Sequence, residues 1–186
     1  MNKEQEGILI GEVQNGDIRA YEKLVNHHRQ FIYSLILRLV KHSEDAEELT
    51  MDVFVRAYQK LDTFRFDAKL STWLYTIAYR IAIMHLRKKK RYFSEVKEHH
   101  SVADGFTDEI HQEEQRLILE NAMAQLSYED NALISFFYLK ELSLKEIEEI
   151  TKIKAVTIKV KIHRIRKKLA ELLKVQLPAE ELKTLI

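Results

Sequence analysis

The sequence predicts an all-α protein: two small helical domains joined by an acidic linker, the second carrying a helix-turn-helix. Three observations predict it. The 186 residues include only 4 Gly and 1 Pro, too few for the hairpins and phosphate-cradling loops that draw on both. Apolar residues recur at steps of three and four through most of the chain. Charge comes in blocks, although the net charge is only +1. Five basic residues run in succession at 87–91, eight acids stand against Lys97 and Arg116 across 94–121, and eight Lys/Arg without an acid fill 152–168. Basic, acidic, basic fits two polyanion contacts with a linker between them; solvated helix faces are the plainer account of any single run.

The elements follow in order. Asn15-Gly16-Asp17 is a turn with Asp17 as N-cap. A long helix over 18–41 places Leu24, Phe31, Leu35, Ile36 and Leu39 on one face. It breaks at 42–45, where Ser43 caps a second helix with the stripe Ala46, Leu49, Val53, Phe54, Ala57 and Leu61. A loop spans 63–70, and Ser71 caps a helix through Trp73, Leu74, Ile77, Ala78, Ile81 and Met84 into the basic run. This first domain takes residues 1–93. Periodicity fades in 94–112, the linker, and returns for a second domain over 113–175. There a turn at 126–128 precedes a helix over 131–140 with Ile134, Phe136, Phe137 and Tyr138. Ser143 with Glu146 three later reads as a capping box, opening a short helix over 144–151. A tight break at 152–154 follows. The tail, 176–186, reads as helical, with Pro178 in a first-turn position.

The stretch TIKVKIHRIRKKL, 157–169, admits two readings. Its first half alternates like a half-buried strand; its second half has helical period. No other segment offers a strand partner, and the stretch continues without a breaker to Val175, a helix length. On a helix, Ile158, Ile162, Ile165 and Leu169 form the buried stripe. Val156, Thr157, Val160, Lys161, Arg164, Lys167 and Lys168 face away, and Lys159, His163 and Arg166 flank them. An outward Val is ordinary on a surface; beside a major groove, Val160 is placed to meet a thymine methyl. Helix, short turn, basic helix is the sequence form of a helix-turn-helix reader.

Two blocks now stand together: DAEELTMDVFVRAYQKLDTFRFDAKLSTWLYTIAYRIAIMHLRKKKR (45–91) and LSYEDNALISFFYLKELSLKEIEEITKIKAVTIKVKIHRIRKKL (126–169). Their order and spacing resemble the extracytoplasmic-function (ECF) group of bacterial sigma factors, over about 7–173. The resemblance implies a subunit that binds RNA polymerase core, recognises promoter DNA and assists its melting. It implies polymerase binding by the helix bearing Asp45, Glu48, Asp52 and Phe54, where Met51 replaces the family's Gln. It implies −10 recognition and melting by Phe64, Arg65, Lys69, Thr72, Trp73, Thr76 and Arg80, with phosphate contacts from Arg87 and Lys88. Arg80 stands where many relatives carry Asn. Aromatic faces and cations suit bases held out of the stack, and Phe66, Tyr75 and Tyr79 add to that supply. Reading of the −35 element is implied for Lys154, Thr157, Lys159, Val160, Lys161, His163, Arg164, Lys167 and Lys168. Thr157, Lys159 and Arg164 match the family pattern. Lys154, Val156 and Val160 replace its Pro, Gly and Ser, and Lys161 keeps charge without a guanidinium fork. An anti-sigma factor is a further partner the resemblance suggests.

Other classes fit less. A stand-alone helix-turn-helix regulator explains 126–173 but leaves 45–91 without a role. No catalytic residue, cofactor or metal is expected. The chain has no Cys, which excludes disulfides and thiol chemistry, and no Gly-x-Gly or Gly-Lys-Ser/Thr nucleotide loop. The pairs Glu95/His99 and Asp108/His111 have helical spacing but no repeated Glu-x-x-His to complete a bundle site. No apolar run approaches the roughly 18 residues of a membrane span. The first residues, MNKEQEGILIGEVQNGD, are too polar for a signal peptide, so no membrane insertion and a cytoplasmic location are expected.

Overall fold

A computed structural model describes the backbone of residues 3–92 and 110–174, and the side chains of 4–89 and 117–174. All regular structure among the described residues is helical, and the chain divides into two compact units. The expected linker at 94–112 and the tail lie largely or wholly outside the described residues.

The first unit contains α1 (Lys3–Gln14), α2 (Ile18–Val40), α3 (Ser43–Lys60), a 3-10 turn (Leu61–Thr63) and α4 (Leu70–Tyr92). α1 was not legible in the sequence. Two glycines dilute its pattern, and it buries only Ile10 and Val13, so contact with α2 holds it rather than propensity. Gly16, at φ 93, supplies the left-handed turn that follows. Asp17 then caps α2, its Oδ1 accepting from the backbone N–H of Arg19 at 2.8 Å and of Ala20 at 3.2 Å. α2 packs against α1, α3 and α4, and α3 packs against α4. Leu24, Ile32, Leu35, Ile36 and Leu39 form its buried face; each such side chain stabilises the unit by about 1.5–3 kcal/mol relative to exposure.

Two caps differ from expectation. His42, not Ser43, caps α3: its Nδ1 accepts from the Asp45 N–H at 3.4 Å. α4 begins at Leu70, one residue before the expected cap, and the Lys69 carbonyl accepts from the Trp73 N–H at 3.1 Å. Ser71 thus sits inside the first turn. All six expected stripe residues of α3 and its turn, from Ala46 to Leu61, are buried. Met84 is not on the α4 stripe; it is 61% exposed, because the buried line runs through Leu74, Ala78, Ile81 and Ala82.

The second unit contains α5 (Ile110–Ala124), α6 (Tyr128–Ile134), a π-helical turn (Ser135–Leu139), α7 (Leu144–Thr151) and α8 (Ala155–Lys174). The helix expected over 131–140 starts at Tyr128, because the Ser127 hydroxyl accepts from the Asp130 N–H. Its end widens into the π turn, where the Leu142 N–H reaches the Phe136 carbonyl at 3.1 Å. Asn131 is buried there and donates through Nδ2 to the Met123 carbonyl at 3.2 Å. The capping box at Ser143 and Glu146 is present in both directions. Lys152, at φ 63, ends α7 in the left-handed conformation. The stretch that alternates in sequence lies on α8. Ile158, Ile162 and Ile165 are buried, and Leu169, Leu172 and Leu173 close against Ile118, Leu119 and Ala122 of α5.

Candidate nucleic-acid interface

The α8 surface is built by the turn before it. α7 ends at Lys152, and the Glu148 carboxylate reaches across, its Oε2 accepting from the Ala155 N–H at 2.9 Å. A carboxylate at a helix N-terminus satisfies an orphan donor and meets the positive end of the helix dipole. Glu148 therefore fixes where α8 starts and how it leaves α7. Sequence reasoning missed this role; an acid seven residues before a helix start carries no recognisable spacing.

Lys154 just before α8, and Val156, Thr157, Lys159, Val160, His163, Arg164, Arg166 and Lys167 on it, are exposed. Val156 is 79% and Val160 47% exposed, so the outward placement of both holds. Lys168 is also exposed and Lys161 half-buried, but each has a partner within the unit. Lys161 Nζ stands 3.7 Å from Glu129 Oε2, and Lys168 Nζ donates to the Gln125 carbonyl at 3.3 Å. The cause is register: each lies three residues after a buried isoleucine, Ile158 or Ile165, so its long side chain leans back along the unit.

In the first unit the loop between the 3-10 turn and α4 holds an aromatic cluster. Phe64 is buried, with its ring centroid 4.9 Å from Phe66 and 5.4 Å from the half-buried Trp73. Phe66 stands at φ 61 and is 49% exposed. A bulky residue in the left-handed region is a strained conformation that presents its side chain outward. Arg65 and Lys69 flank it and are exposed, as are Arg80, Arg87 and Lys88 along α4. Thr76 is half-buried and donates to the Thr72 carbonyl at 2.9 Å.

Three residues of this group need correction. Thr72 is 2% exposed, so its side chain is part of the core and not a DNA contact in this conformation. Tyr75 and Tyr79 are buried too. The Tyr75 ring packs on Phe31 with centroids 4.5 Å apart, and burial, then the nearby Glu6 charge, pushes its phenol up to about 12. Phe66 is exposed and Trp73 half-buried, so of the expected aromatics these two keep solvent exposure.

The α3 face also divides. Glu48 and Asp52 are exposed. Asp45 is engaged within the unit: its Oδ2 accepts from Lys89 Nζ at 3.0 Å and lies 3.2 Å from His85 Nε2. Burial raises the Asp45 carboxyl, but the Lys89 hydrogen bond and charge, with His85 and His42, outweigh it and hold it below the ordinary value. Lys89 is thereby drawn out of the basic run. Phe54 is 8% exposed and lies at the floor of a groove lined by Ile18, Tyr21, Val55, Tyr58 and Gln59. Ile18, Val55 and Tyr58 are exposed, as is Met51 nearby. These apolar residues sit off the core stripe, the one sequence signal that marked the groove.

Residues 24–92 match the family model of sigma-70 region 2, and residues 116–169 match that of sigma-70 region 4. The chain is 33% identical over 177 residues to the ECF RNA polymerase sigma factor SigW of Bacillus subtilis (strain 168), covering 89% of this chain and 95% of that protein. It is 29% identical to the ECF RNA polymerase sigma-E factor of Escherichia coli (strain K12), covering 86% and 89%. Among solved structures, the fold is similar to the sigma factor RpoE in complex with the anti-sigma factor NepR from Bartonella quintana. That match has a TM-score of 0.72 and 24% identity, and covers 86% of this chain and all of that one. CnrH in complex with the cytosolic domain of CnrY gives a TM-score of 0.69 at 20% identity, covering 93% and 99%. Two helical units that carry these two matches define a sigma factor of the sigma-70 class. The chain belongs to its ECF group, and its function is to direct RNA polymerase to promoters. No described helix is long and apolar enough to cross a membrane.

Proposed function

We propose that the two units divide promoter recognition by residue as follows. The exposed N-terminal face of α8, with Lys154, Thr157, Lys159, Val160, His163, Arg164 and Lys167, reads the −35 element in the major groove. Lys161 and Lys168 reach it only by leaving their protein partners. In the first unit Phe66 and Trp73, with Arg65, Lys69 and Arg80, hold an unstacked base of the −10 element, while Arg87 and Lys88 track phosphates. Glu48 and Asp52 offer charge to a basic groove of polymerase core, and the apolar groove over Phe54 adds contact area. Asp45 supports that helix from within. The factor does no covalent chemistry and works where its polymerase is, in the cytoplasm. An anti-sigma factor covering these faces is a further proposed partner; RpoE and CnrH, which share the fold, are both seen in complexes.

The observation that carries this reading is Phe66, exposed in a left-handed conformation and packed on Phe64, which in turn packs on Trp73. The test is transcription with core polymerase on genomic fragments, joined to permanganate footprinting of the −10 region. Phe66→Ala is expected to keep closed-complex binding and to lose the reactive thymines. Full melting by that variant would sink the assignment of Phe66, and no stimulation of core on any fragment would sink the reading as a whole.

A further inference from the structure

Glu6 on α1 and the adjacent His27 and His28 on α2 bring their ligating atoms within 4.8 Å of one another. None of the three belongs to the surfaces described above. His28 is 6% exposed, and its Nε2 stands 3.5 Å from Glu6 Oε1. That is long for a hydrogen bond, whose usual range is about 2.7–3.2 Å. It is close to the edge of roughly 3.4 Å between two corners of a tetrahedron around an ion with ligands at about 2.0–2.1 Å. The two imidazoles stand edge to face at 85°, centroids 4.9 Å apart. Neighbouring helix positions diverge, yet here both ring systems stay on the side of Glu6. His27 is exposed, so its ring is free to rotate through the remaining distance at small cost.

We propose that Glu6, His27 and His28 form a three-ligand site for a divalent transition metal of the zinc class, which fastens α1 to α2. Two imidazoles and a carboxylate suit zinc, cobalt or nickel, and leave a fourth position for water. Calcium and magnesium prefer all-oxygen sets. The role is structural. α1 buries only Ile10 and Val13 among its apolar residues, so a bond from Glu6 to two side chains of α2 adds a large share of its anchorage. A metal held by the folded unit alone stabilises it by mass action.

The test uses the full chain, stripped with a chelator. Zinc is titrated in competition with a chromogenic chelator, and cobalt is followed by its visible absorption. One equivalent is expected to bind with a four-coordinate cobalt spectrum, and Glu6→Gln and His27→Ala are each expected to remove it. Zinc at a hundredfold over Kd is expected to raise the unfolding midpoint of the first unit by roughly 10–20 °C in the wild type and not in His27→Ala. His27 is exposed, so that variant keeps its fold, checked by far-ultraviolet circular dichroism. Wild-type protein that holds no zinc at micromolar concentration overturns the proposal. So does an equivalent that persists in both variants, which would place the metal on others of the 8 histidines.

Discussion

Lys161 is the residue where local chemistry most alters the reading of the α8 surface. The proposed −35 surface includes it, yet it stands 3.7 Å from Glu129, with both side chains about a third or more exposed. Such a pair contributes at most about 1 kcal/mol, so DNA phosphate competes for the lysine. Removing the acid frees Lys161 and removes a repulsion toward DNA. Glu129→Gln is therefore expected to tighten binding to a promoter fragment by up to about fivefold, measured by fluorescence anisotropy with the assembled holoenzyme. Arg164 is exposed and has no ion-pair partner among the described residues. Arg164→Ala is expected to weaken promoter binding by about 1–3 kcal/mol while core binding is unchanged. A larger loss for Lys161→Ala than for Arg164→Ala would contradict this ranking.

At the scale of the element, the caps and cross-links decide how helices meet. The Glu148 carboxylate that caps α8 from α7 sets the helix-turn-helix angle. Glu148→Ala is expected to cost about 1 kcal/mol in the second unit, read as a shift in urea unfolding, and to lower promoter affinity without touching DNA. Asp45 plays the matching part between α3 and α4, through His85 and Lys89. Its folded pKa lies below the unfolded value of 3.8. Its contribution is thus full above that value and lost as pH falls through the lower, folded one. Asp45→Asn should be less stable than the wild type at neutral pH, and the gap should close well below pH 3.8. Paired urea titrations at the two pH values test this; a gap that survives in acid would mean packing, not charge, carries the effect.

For the whole molecule, charge and function are divided along the chain. Both units carry exposed cations, Arg87 and Lys88 on α4 and a row along α8, and the proposed partner of both sets is promoter DNA. Binding of holoenzyme to promoter DNA should therefore fall steeply with salt, as phosphate contacts release counterions. Charge-neutral substitution of Arg87 and Lys88 together should lower the slope of log K against log[salt] by about 2, with sequence preference retained. An unchanged slope would remove α4 from the DNA path. The match to sigma-70 region 2 lies wholly outside the helix-turn-helix, and it is this that sets the protein apart from a stand-alone regulator.

What the sequence determined by itself was the helical class, the order of helices, the buried stripes of α2, α3 and α8, and the capping box at Ser143. These rest on periodicity and on hydrogen bonds within a few residues, which spacing encodes directly. The family pattern carried the functional reading further than periodicity could. Tertiary structure decided the rest. It placed α1, whose pattern is weak because one partner helix holds it. It moved the α3 cap to His42, buried Thr72, Tyr75 and Tyr79, and turned Asp45, Lys161 and Lys168 toward partners in their own unit. The His42 cap is local but uses a residue type outside the usual capping set; the other outcomes depend on contacts between residues distant in the chain, or on how far a flexible side chain leans. Neither leaves a mark in the spacing of one helix.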